Sequence, residues 1–294
     1  MISIIITSFK EPHLKRAIDS VLNNKIKKKH EIIIVAPDKE AKELVKSYKN
    51  LKFFKDHGKG KSLALNQVFK KVKSDILILT DGDVYISNNA INEILELFKD
   101  HKIGCLTGRP VSTNSKNNIF GYWSHLLFDI GAHEISRKKR FQEGKFLECS
   151  GYLFAFRNIF MDIPLDVAED SIIPYLCLKK GYKVGYAEKA LVYVKNPTNL
   201  KDFIKQRVRT AKGHEKLKLY APDYPRVKSF SMEIFEGLKN IRLILSYPKN
   251  IKEFIYTLTL FPARLYIWLR VKYDQSLKGK TYQDCWERIE STKT

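Results

Sequence analysis

Two carboxylates separated by one glycine form the most informative chemical pattern in the sequence. Asp81, Gly82 and Asp83 come directly after the apolar run 76–79, which is typical of a buried strand. Acidic side chains at the carboxyl end of a rigid strand can share one hard cation, and the glycine lets a phosphate approach closely. The alternative is an ordinary turn, because Asp-Gly-Asp is common turn chemistry. The pattern therefore indicates a candidate site for a metal-bound diphosphate.

The elements around this motif alternate between strands and helices. Apolar runs predict strands at 2–6, 31–35, 51–54 and 76–79. Helical spacing of apolar residues predicts helices between them, at 12–22, 39–48 and 61–71. This order implies an α/β fold with a mostly parallel central sheet and helices on both faces, in which ligands bind at the carboxyl ends of the strands. We expect the active loops there, at 7–11, 36–38, 57–61 and 80–84.

A second loop with candidate ligand-binding residues precedes the third predicted helix. Residues 56–61 read Asp-His-Gly-Lys-Gly-Lys and offer glycine backbone with two lysines, which suits a diphosphate or a nucleotide. The spacing is not that of a P-loop, and no GxGxxG follows the first strand. Both the P-loop and the dinucleotide-binding Rossmann site are therefore excluded.

Composition allows an enzyme and favours anionic partners. A chain of 294 residues with 44% apolar content can bury a sizeable core. The net charge of +21 favours nucleic acid, an anionic membrane face or phosphorylated substrates. We expect no nucleic acid, since no module that binds it is visible. The four scattered cysteines predict neither a zinc site nor a disulfide framework, and the missing export signal predicts a cytoplasmic location.

These motifs resemble the nucleotide-sugar half of family 2 glycosyltransferases, which have the Rossmann-like GT-A fold. The resemblance rests on 7–11, on the Gly-Lys-Ser-Leu-Ala-Leu-Asn stretch 60–66, and on Asp-Gly-Asp. It implies that the donor is held by Thr7, Ser8, Glu11, Asp38, Lys61 and Asp81. It also implies that Asp83, together with Asp81, holds Mg²⁺ or Mn²⁺ on the diphosphate. Ala-Pro-Asp at 36–38 replaces the family's usual Asp-Asp, so the base is open, although uracil is usual.

The second half continues the resemblance, which covers roughly residues 1–215. Gly151 lies in a stretch, 149–157, that is similar to the family's acceptor-side strand. Glu169 and Asp170 stand where the family has its catalytic acidic pair, and the resemblance implies that Asp170 is the general base. An alternative is that these acids only complement a helix N-terminus.

A basic motif follows on a predicted helix. Gln206, Arg207 and Arg209 resemble the family's Q-R-x-R motif, which implies contacts with acceptor or diphosphate. Thr210 stands where processive and lipid-linked members carry an aromatic residue. The alternative is a solvated helix face.

Sugar transfer from a nucleotide sugar requires a base for the acceptor hydroxyl, and cations that neutralise the negative charge of the leaving diphosphate. No second carboxylate suited to be a nucleophile is apparent, so an inverting single displacement is expected. A sugar nucleotidyltransferase is the second candidate, but it would normally carry a glycine-rich, arginine-containing loop at 7–11.

Two regions bear on the acceptor, which is expected to be a glycan or a polyprenyl-phosphate lipid. Residues 119–142 join an aromatic stretch to the basic run 137–140, and could instead be a helix packed on the sheet. Residues 226–273 predict amphipathic helices that lie on an anionic membrane surface or complete the core. The predicted division is 1–110 for the donor half, 111–225 for the acceptor half and 226–294 for a C-terminal helical segment.

Overall fold

The computed structural model describes residues 1–159, 162–223, 227–279 and 289–293. The strands in these residues are β1 (Ile2–Thr7), β2 (His30–Ala36), β3 (Leu51–Lys55), β4 (Ile76–Asp81), β5 (Val84–Ile86), β6 (Ile103–Ser112), β7 (Leu153–Arg157) and β8 (Lys183–Val194). They form one sheet in the order β3-β2-β1-β4-β7-β6-β8-β5.

The first four strands are parallel and covered on both faces, which explains their continuous apolar runs. Successive side chains of a strand point to opposite faces. Ile4 and Ile6 of β1 therefore lie in one core layer, whereas Ile5 lies in the layer on the other side of the sheet. Because these strands are parallel, their carboxyl ends meet at one edge and carry the predicted active loops there.

The second half of the sheet mixes directions. Strand β7 lies antiparallel between β4 and β6, and β8 pairs parallel with β6 and antiparallel with the short β5. The hydroxyl of Thr80 donates to the carbonyl of Tyr152 at 2.8 Å, just before β7 begins. This contact places the 149–152 segment beside the carboxyl end of β4.

Helices cover both faces and continue beyond the sheet. They are α1 (Leu14–Leu22), α2 (Lys39–Lys46), α3 (Lys61–Phe69), α4 (Ala90–Leu97), α5 (Ile119–Leu126), a π-helix (Leu127–Lys138), α6 (Lys139–Gln142), α7 (Glu169–Lys179), α8 (Leu200–Lys216), α9 (Phe230–Lys239), α10 (Ile241–Ser246) and α11 (Ile251–Ser276). The α/β fold with a mostly parallel sheet and C-terminal helices is thus confirmed.

A third core joins α5 and the π-helix to α8 and α11. Tyr122 is fully buried, and its hydroxyl lies 2.7 Å from that of Thr257 on α11. The indole of Trp123 donates to the carbonyl of Tyr256 at 2.7 Å. Residues 119–142 are largely helical, and α11 packs on them through one side; their contact with an acceptor stays a prediction. In the described part of the chain, no helix has the length and hydropathy to cross a membrane.

Candidate active site

The Asp-Gly-Asp motif begins inside β4 and packs directly against the end of β1. Thr7 and Asp81 are partners in the parallel register, and the Thr7 hydroxyl donates to Asp81 Oδ1 at 2.8 Å. The Gly82 amide donates to the Thr7 carbonyl at 2.8 Å. A Cβ on Gly82 would lie 3.0 Å from Ser8 Oγ, so a larger residue would push the two loops apart. Glycine therefore holds the two loops in close contact.

Lys61 bridges the two halves of the site. It is the first residue of α3, after Gly60, whose φ of +124° favours glycine. Its ammonium lies 2.6 Å from Asp81 Oδ1 and 2.7 Å from Glu169 Oε1. Burial would lower the pKa of Lys61, but both carboxylates raise it well above its ordinary value. The lysine is therefore a fixed positive charge.

The two acidic side chains at the start of α7, Glu169 and Asp170, point in different directions. Glu169 turns to Lys61, whereas Asp170 Oδ2 accepts from the Gly151 amide at 3.1 Å. Ala168 is the N-cap and makes no side-chain cap hydrogen bond. Burial and the nearby Asp170 and Asp81 raise the pKa of Glu169 to about 7, against the opposing effect of Lys61. Each carboxylate of the pair therefore has its own partner besides the helix N-terminus.

Asp83 and Glu11 share a cation that the sequence patterns did not reveal. The ammonium of Lys293 lies 2.7 Å from Asp83 Oδ2 and also bonds Glu11. Burial would lower the pKa of Lys293, but the two acids raise it above its ordinary value. Within the described residues, no three His, Cys, Asp or Glu side chains are grouped to hold a metal by themselves. Asp81 and Asp83 fit Mg²⁺ or Mn²⁺ as a pair of oxygen ligands that diphosphate oxygens would complete.

One cavity of about 840 Å³ connects these groups. Its polar end is lined by the predicted residues Thr7, Ser8, Glu11, Lys61, Asp81, Asp83, Gly151, Glu169, Asp170, Gln206, Arg207 and Arg209. The rest of its wall is largely apolar and includes Ile130 and Ile135 of the π-helix, Ile241 of α10 and Leu260 of α11, with further residues of α9. The structure therefore places a carboxylate cluster and an apolar channel in one space.

Two residues of α8 that line this cavity carry buried side-chain atoms without a hydrogen-bond partner in the described residues. Nε and Nη2 of Arg207 are buried and unpaired, and so is Oε1 of Gln206. Burial lowers the pKa of Arg207 to about 10, which leaves the guanidinium charged at neutral pH. The guanidinium lies over the Phe203 ring, 5.5 Å from its centroid, but buried N–H groups that donate to no acceptor are costly. Arg207 is therefore suited to an anion that enters the cavity.

Asp38 is the predicted donor residue that lies apart from the others. It is the N-cap of α2, where its Oδ1 accepts from the Ala41 amide at 3.1 Å. Its Oδ2 accepts from the Lys10 amide at 3.1 Å, and it does not line the cavity. Its contact with a base stays a prediction.

Sequence patterns missed the aromatic residues of the cavity. Trp268 of α11 and Phe230 of α9 line it with ring centroids 6.0 Å apart. The Trp268 indole donates to Glu233 at 2.8 Å, and Arg264 pairs with the same carboxylate. Thr210 also lines the cavity but supplies no ring. Apolar helical spacing in α9 and α11 was the available signal, although it does not say which residues face the cavity.

Comparison with known proteins identifies the family. The model of "Glycosyltransferase like family 2" matches residues 1–213. The chain belongs to this family. The match confirms the resemblance seen in the Gly-Lys, Asp-Gly-Asp, Glu-Asp and Gln-Arg motifs.

Relatives and solved structures agree with that assignment. The chain is 31% identical over 220 residues to poly-β-1,6-N-acetyl-D-glucosamine synthase of Staphylococcus aureus, covering 69% of this chain and 52% of the relative. It is 26% identical over 168 residues to hyaluronan synthase of Streptococcus pyogenes, covering 53% of this chain and 40% of the relative. The chain thus matches only about half of each relative's length or less.

The fold is shared with structures of glycosyltransferases. A mannosyltransferase from Pyrobaculum calidifontis, in complex with GDP-Man and Mn²⁺, has a TM-score of 0.59 at 16% identity and covers 94% of this chain and 81% of its own. S. aureus TarS 1–349, in complex with UDP-GlcNAc, has a TM-score of 0.51 at 15% identity, with coverages of 96% and 93%.

Proposed function

We propose that the protein is an inverting, metal-dependent glycosyltransferase that moves a sugar from a nucleotide sugar, with UDP as the nucleotide. One observation carries the proposal: Asp81, Asp83, Lys61 and Asp170 line the same cavity as the unpaired Arg207. Family membership and the donors in the names of the two structures support it. Those donors carry different nucleotides, so the experiment below compares UDP-linked with GDP-linked sugars.

The residues divide the work of the reaction between them. Asp170, oriented by the Gly151 amide, would accept the proton of the acceptor hydroxyl as that oxygen attacks the anomeric carbon. Lys61 stays charged and compensates the negative charge that develops on the leaving diphosphate. Asp83 and Asp81 would hold Mg²⁺ or Mn²⁺, which neutralises diphosphate charge as a Lewis acid. Glu169 is held by Lys61, which disfavours its use as a nucleophile.

We propose that the acceptor is a glycan linked to a polyprenyl phosphate, whose sugar hydroxyl gives its proton to Asp170. The apolar wall between the π-helix and α9 and α11 suits an aliphatic chain, and Arg207 suits its phosphate. A growing glycan without a lipid is the other acceptor class, and the aromatic pair Phe230 and Trp268 would serve it by stacking on sugar rings. The apolar character of the wall favours the lipid.

We also propose that α11 lies on an anionic membrane surface. Its outward side exposes large apolar side chains, including Ile255 at 53%, Leu258 at 47% and Leu269 at 57%. Arg270 and Lys272 lie on the same helix, and Lys249 and Lys252 lie at its beginning. Apolar side chains flanked by cations are the combination that binds anionic headgroups.

The first experiment is a panel of nucleotide sugars. Release of nucleoside diphosphate is measured with UDP-linked and GDP-linked sugars, each with Mg²⁺, with Mn²⁺ and with EDTA. We expect release from a UDP-sugar that EDTA stops and added metal restores, and faster release when a polyprenyl-phosphate-linked sugar is added. Full release in EDTA would refute metal dependence. Release from GDP-sugars alone would refute the nucleotide assignment, and stimulation by oligosaccharide alone would refute the lipid acceptor.

A further inference from the structure

The segment 289–293 lies across the donor end of the cavity. Ile289 and Thr292 are buried, at 5% and 7% exposure, and both line the cavity. The Ser291 amide donates to Asp202 Oδ2 at 3.0 Å, at the beginning of α8. A ring nitrogen of His13, just before α1, lies 3.2 Å from the Lys293 carbonyl. The segment is therefore attached to both halves of the molecule.

Lys293 reaches from this segment to the carboxylate proposed to bind the metal. Its side chain is 12% exposed and that of Glu11 is 3% exposed. Its ammonium lies 2.7 Å from Asp83 Oδ2, an oxygen to which a divalent cation would bind. This is not a solvated surface ion pair, because lysine and glutamate are both largely withdrawn from water. The segment thus supplies a cation of its own to the metal-binding end.

We propose that Lys293 and the divalent cation bind Asp83 in mutually exclusive states, so that 289–293 acts as a latch which the metal and nucleoside diphosphate must open. The proposal rests on the proposed function, since it takes Asp83 as a metal ligand. It goes further by assigning a competing, closed state to a segment outside the matched residues 1–213.

Electrostatics gives the reason for the exclusion. Without a metal, the ammonium compensates the charge of Asp83 and Glu11 and so stabilises the closed segment. A divalent cation on Asp83 would lie within a few ångströms of the ammonium, where like charges repel strongly at reduced dielectric. The latch also lowers the apparent affinity for metal, because only the open fraction is competent to bind. If about one molecule in ten is open, the apparent Kd is raised about tenfold.

Mn²⁺ binding to the full-length protein tests the exclusion. Binding is measured by the EPR signal of free Mn²⁺, with and without UDP, for the wild type, Lys293→Met, Lys293→Arg and Lys46→Met. We expect Lys293→Met to bind Mn²⁺ about tenfold more tightly, and Lys293→Arg, which keeps the charge, to resemble the wild type. Lys46→Met is the matched control, since it removes an ion pair with Glu43 on the surface, and it should change nothing.

Hydrogen exchange gives a second readout that does not depend on turnover. The Ser291 amide should exchange slowly in the apo protein and faster with saturating Mn²⁺ and UDP. In Lys293→Met it should exchange fast in both conditions. Ser291 protection that persists with Mn²⁺ and UDP in the wild type would overturn the latch, and so would an unchanged Mn²⁺ Kd in Lys293→Met.

Asp83→Asn separates the two proposals. If it weakens Mn²⁺ binding while Lys293→Met does not strengthen it, the latch fails and the metal site stands. If Asp83→Asn leaves Mn²⁺ binding unchanged, the metal is not at Asp83, and both the latch and that part of the proposed function fail.

Discussion

Asp170 is the residue whose surroundings best separate binding from chemistry. Its carboxylate is oriented by the Gly151 amide, and a Cβ on Gly151 would lie 3.5 Å from Asp170 Oδ2. Asn has nearly the same shape but cannot take a proton. Asp170→Asn should therefore keep donor affinity while transfer falls about 10²-fold or more. Donor binding by calorimetry and turnover by diphosphate release check this, and lost donor binding in a folded variant would contradict the assignment.

Glu169 should make stability depend on pH near neutrality. Its pKa is raised from 4.5 to about 7, so between these values the folded protein holds a proton that the unfolded chain releases. Stability is therefore lost as the pH rises through this window, by an amount on the order of 2 to 3 kcal/mol. Glu169→Gln cannot titrate and should become more stable relative to the wild type from pH 5 to pH 8. Urea unfolding at both pH values measures this, and the opposite trend would mean that Lys61 dominates.

Sequence reasoning found the residues of the site that lie in local motifs. Asp81 and Lys61 were predicted from loops at the edge where parallel strands end, whereas Asp170 was implied by the family resemblance; all three line the cavity. Lys293 was not predicted, since it comes from a part of the chain far from Glu11 and Asp83. The unpaired state of Arg207 was also invisible, because it depends on what α9 and α11 place around it.

At the scale of elements, α11 has one covered and one uncovered side. Thr257, Trp268 and Val271 are buried against the third core, whereas Ile255 and Leu258 are about half exposed, at 53% and 47%. Periodicity predicted an amphipathic helix but could not say whether a further element covers its apolar side. Both the membrane surface and the divisions at 110 and 225 stay predictions.

Charged substitutions on the uncovered side test the membrane proposal. Ile255→Glu with Leu258→Glu adds two acids where no partner packs within the described residues, so folding should be kept. Co-sedimentation with anionic vesicles should fall at least tenfold, since burying a charge in an apolar boundary is costly. Leu165→Glu is the matched control, at 50% exposure elsewhere on the surface, and should bind as the wild type does. Equal vesicle binding by the wild type, the double variant and the control would show that α11 does not contact the membrane.

At the scale of the whole molecule, a buried polar network connects α7 to α8. His214 of α8 lies 2.8 Å from Glu148 and also bonds the Ser171 hydroxyl of α7. Lys228 lies 3.4 Å from Glu148. Burial would raise the pKa of Glu148, but His214 and Lys228 lower it to about 2. The ionised carboxylate therefore stabilises the fold.

Glu148→Gln should lower the free energy of unfolding at pH 7 by about 3 kcal/mol, because it removes the buried carboxylate that contacts both His214 and Lys228. The pKa of Glu148 is depressed, so its contribution is full above about pH 4.5 and is lost as the pH falls toward 2. The difference from the wild type should shrink over that range in urea unfolding. Glu43→Gln, in an exposed pair with Lys46, should cause no measurable change; equal losses in both variants would contradict the role of the network.

The overall fold was predictable where neighbours in sequence are neighbours in space. A helix connects each of the strands β1 to β4 to the next, so the alternating pattern predicts that these strands are parallel neighbours. The arrangement of β5 to β8 does not, because β7 enters antiparallel between β4 and β6. That choice depends on packing between distant segments, which periodicity does not report.

The π-helix Leu127–Lys138 sets a limit on how the length of this chain can vary. Its wider turns hold about one more residue each than an α-helix holds. Deleting a single residue and restoring α-helical geometry would rotate everything after it by about 100°. Ile135 and Arg137, which line the cavity, would then face another direction, although no side chain had been replaced. Descendants of this sequence can therefore exchange residues in the segment more easily than they can lose one.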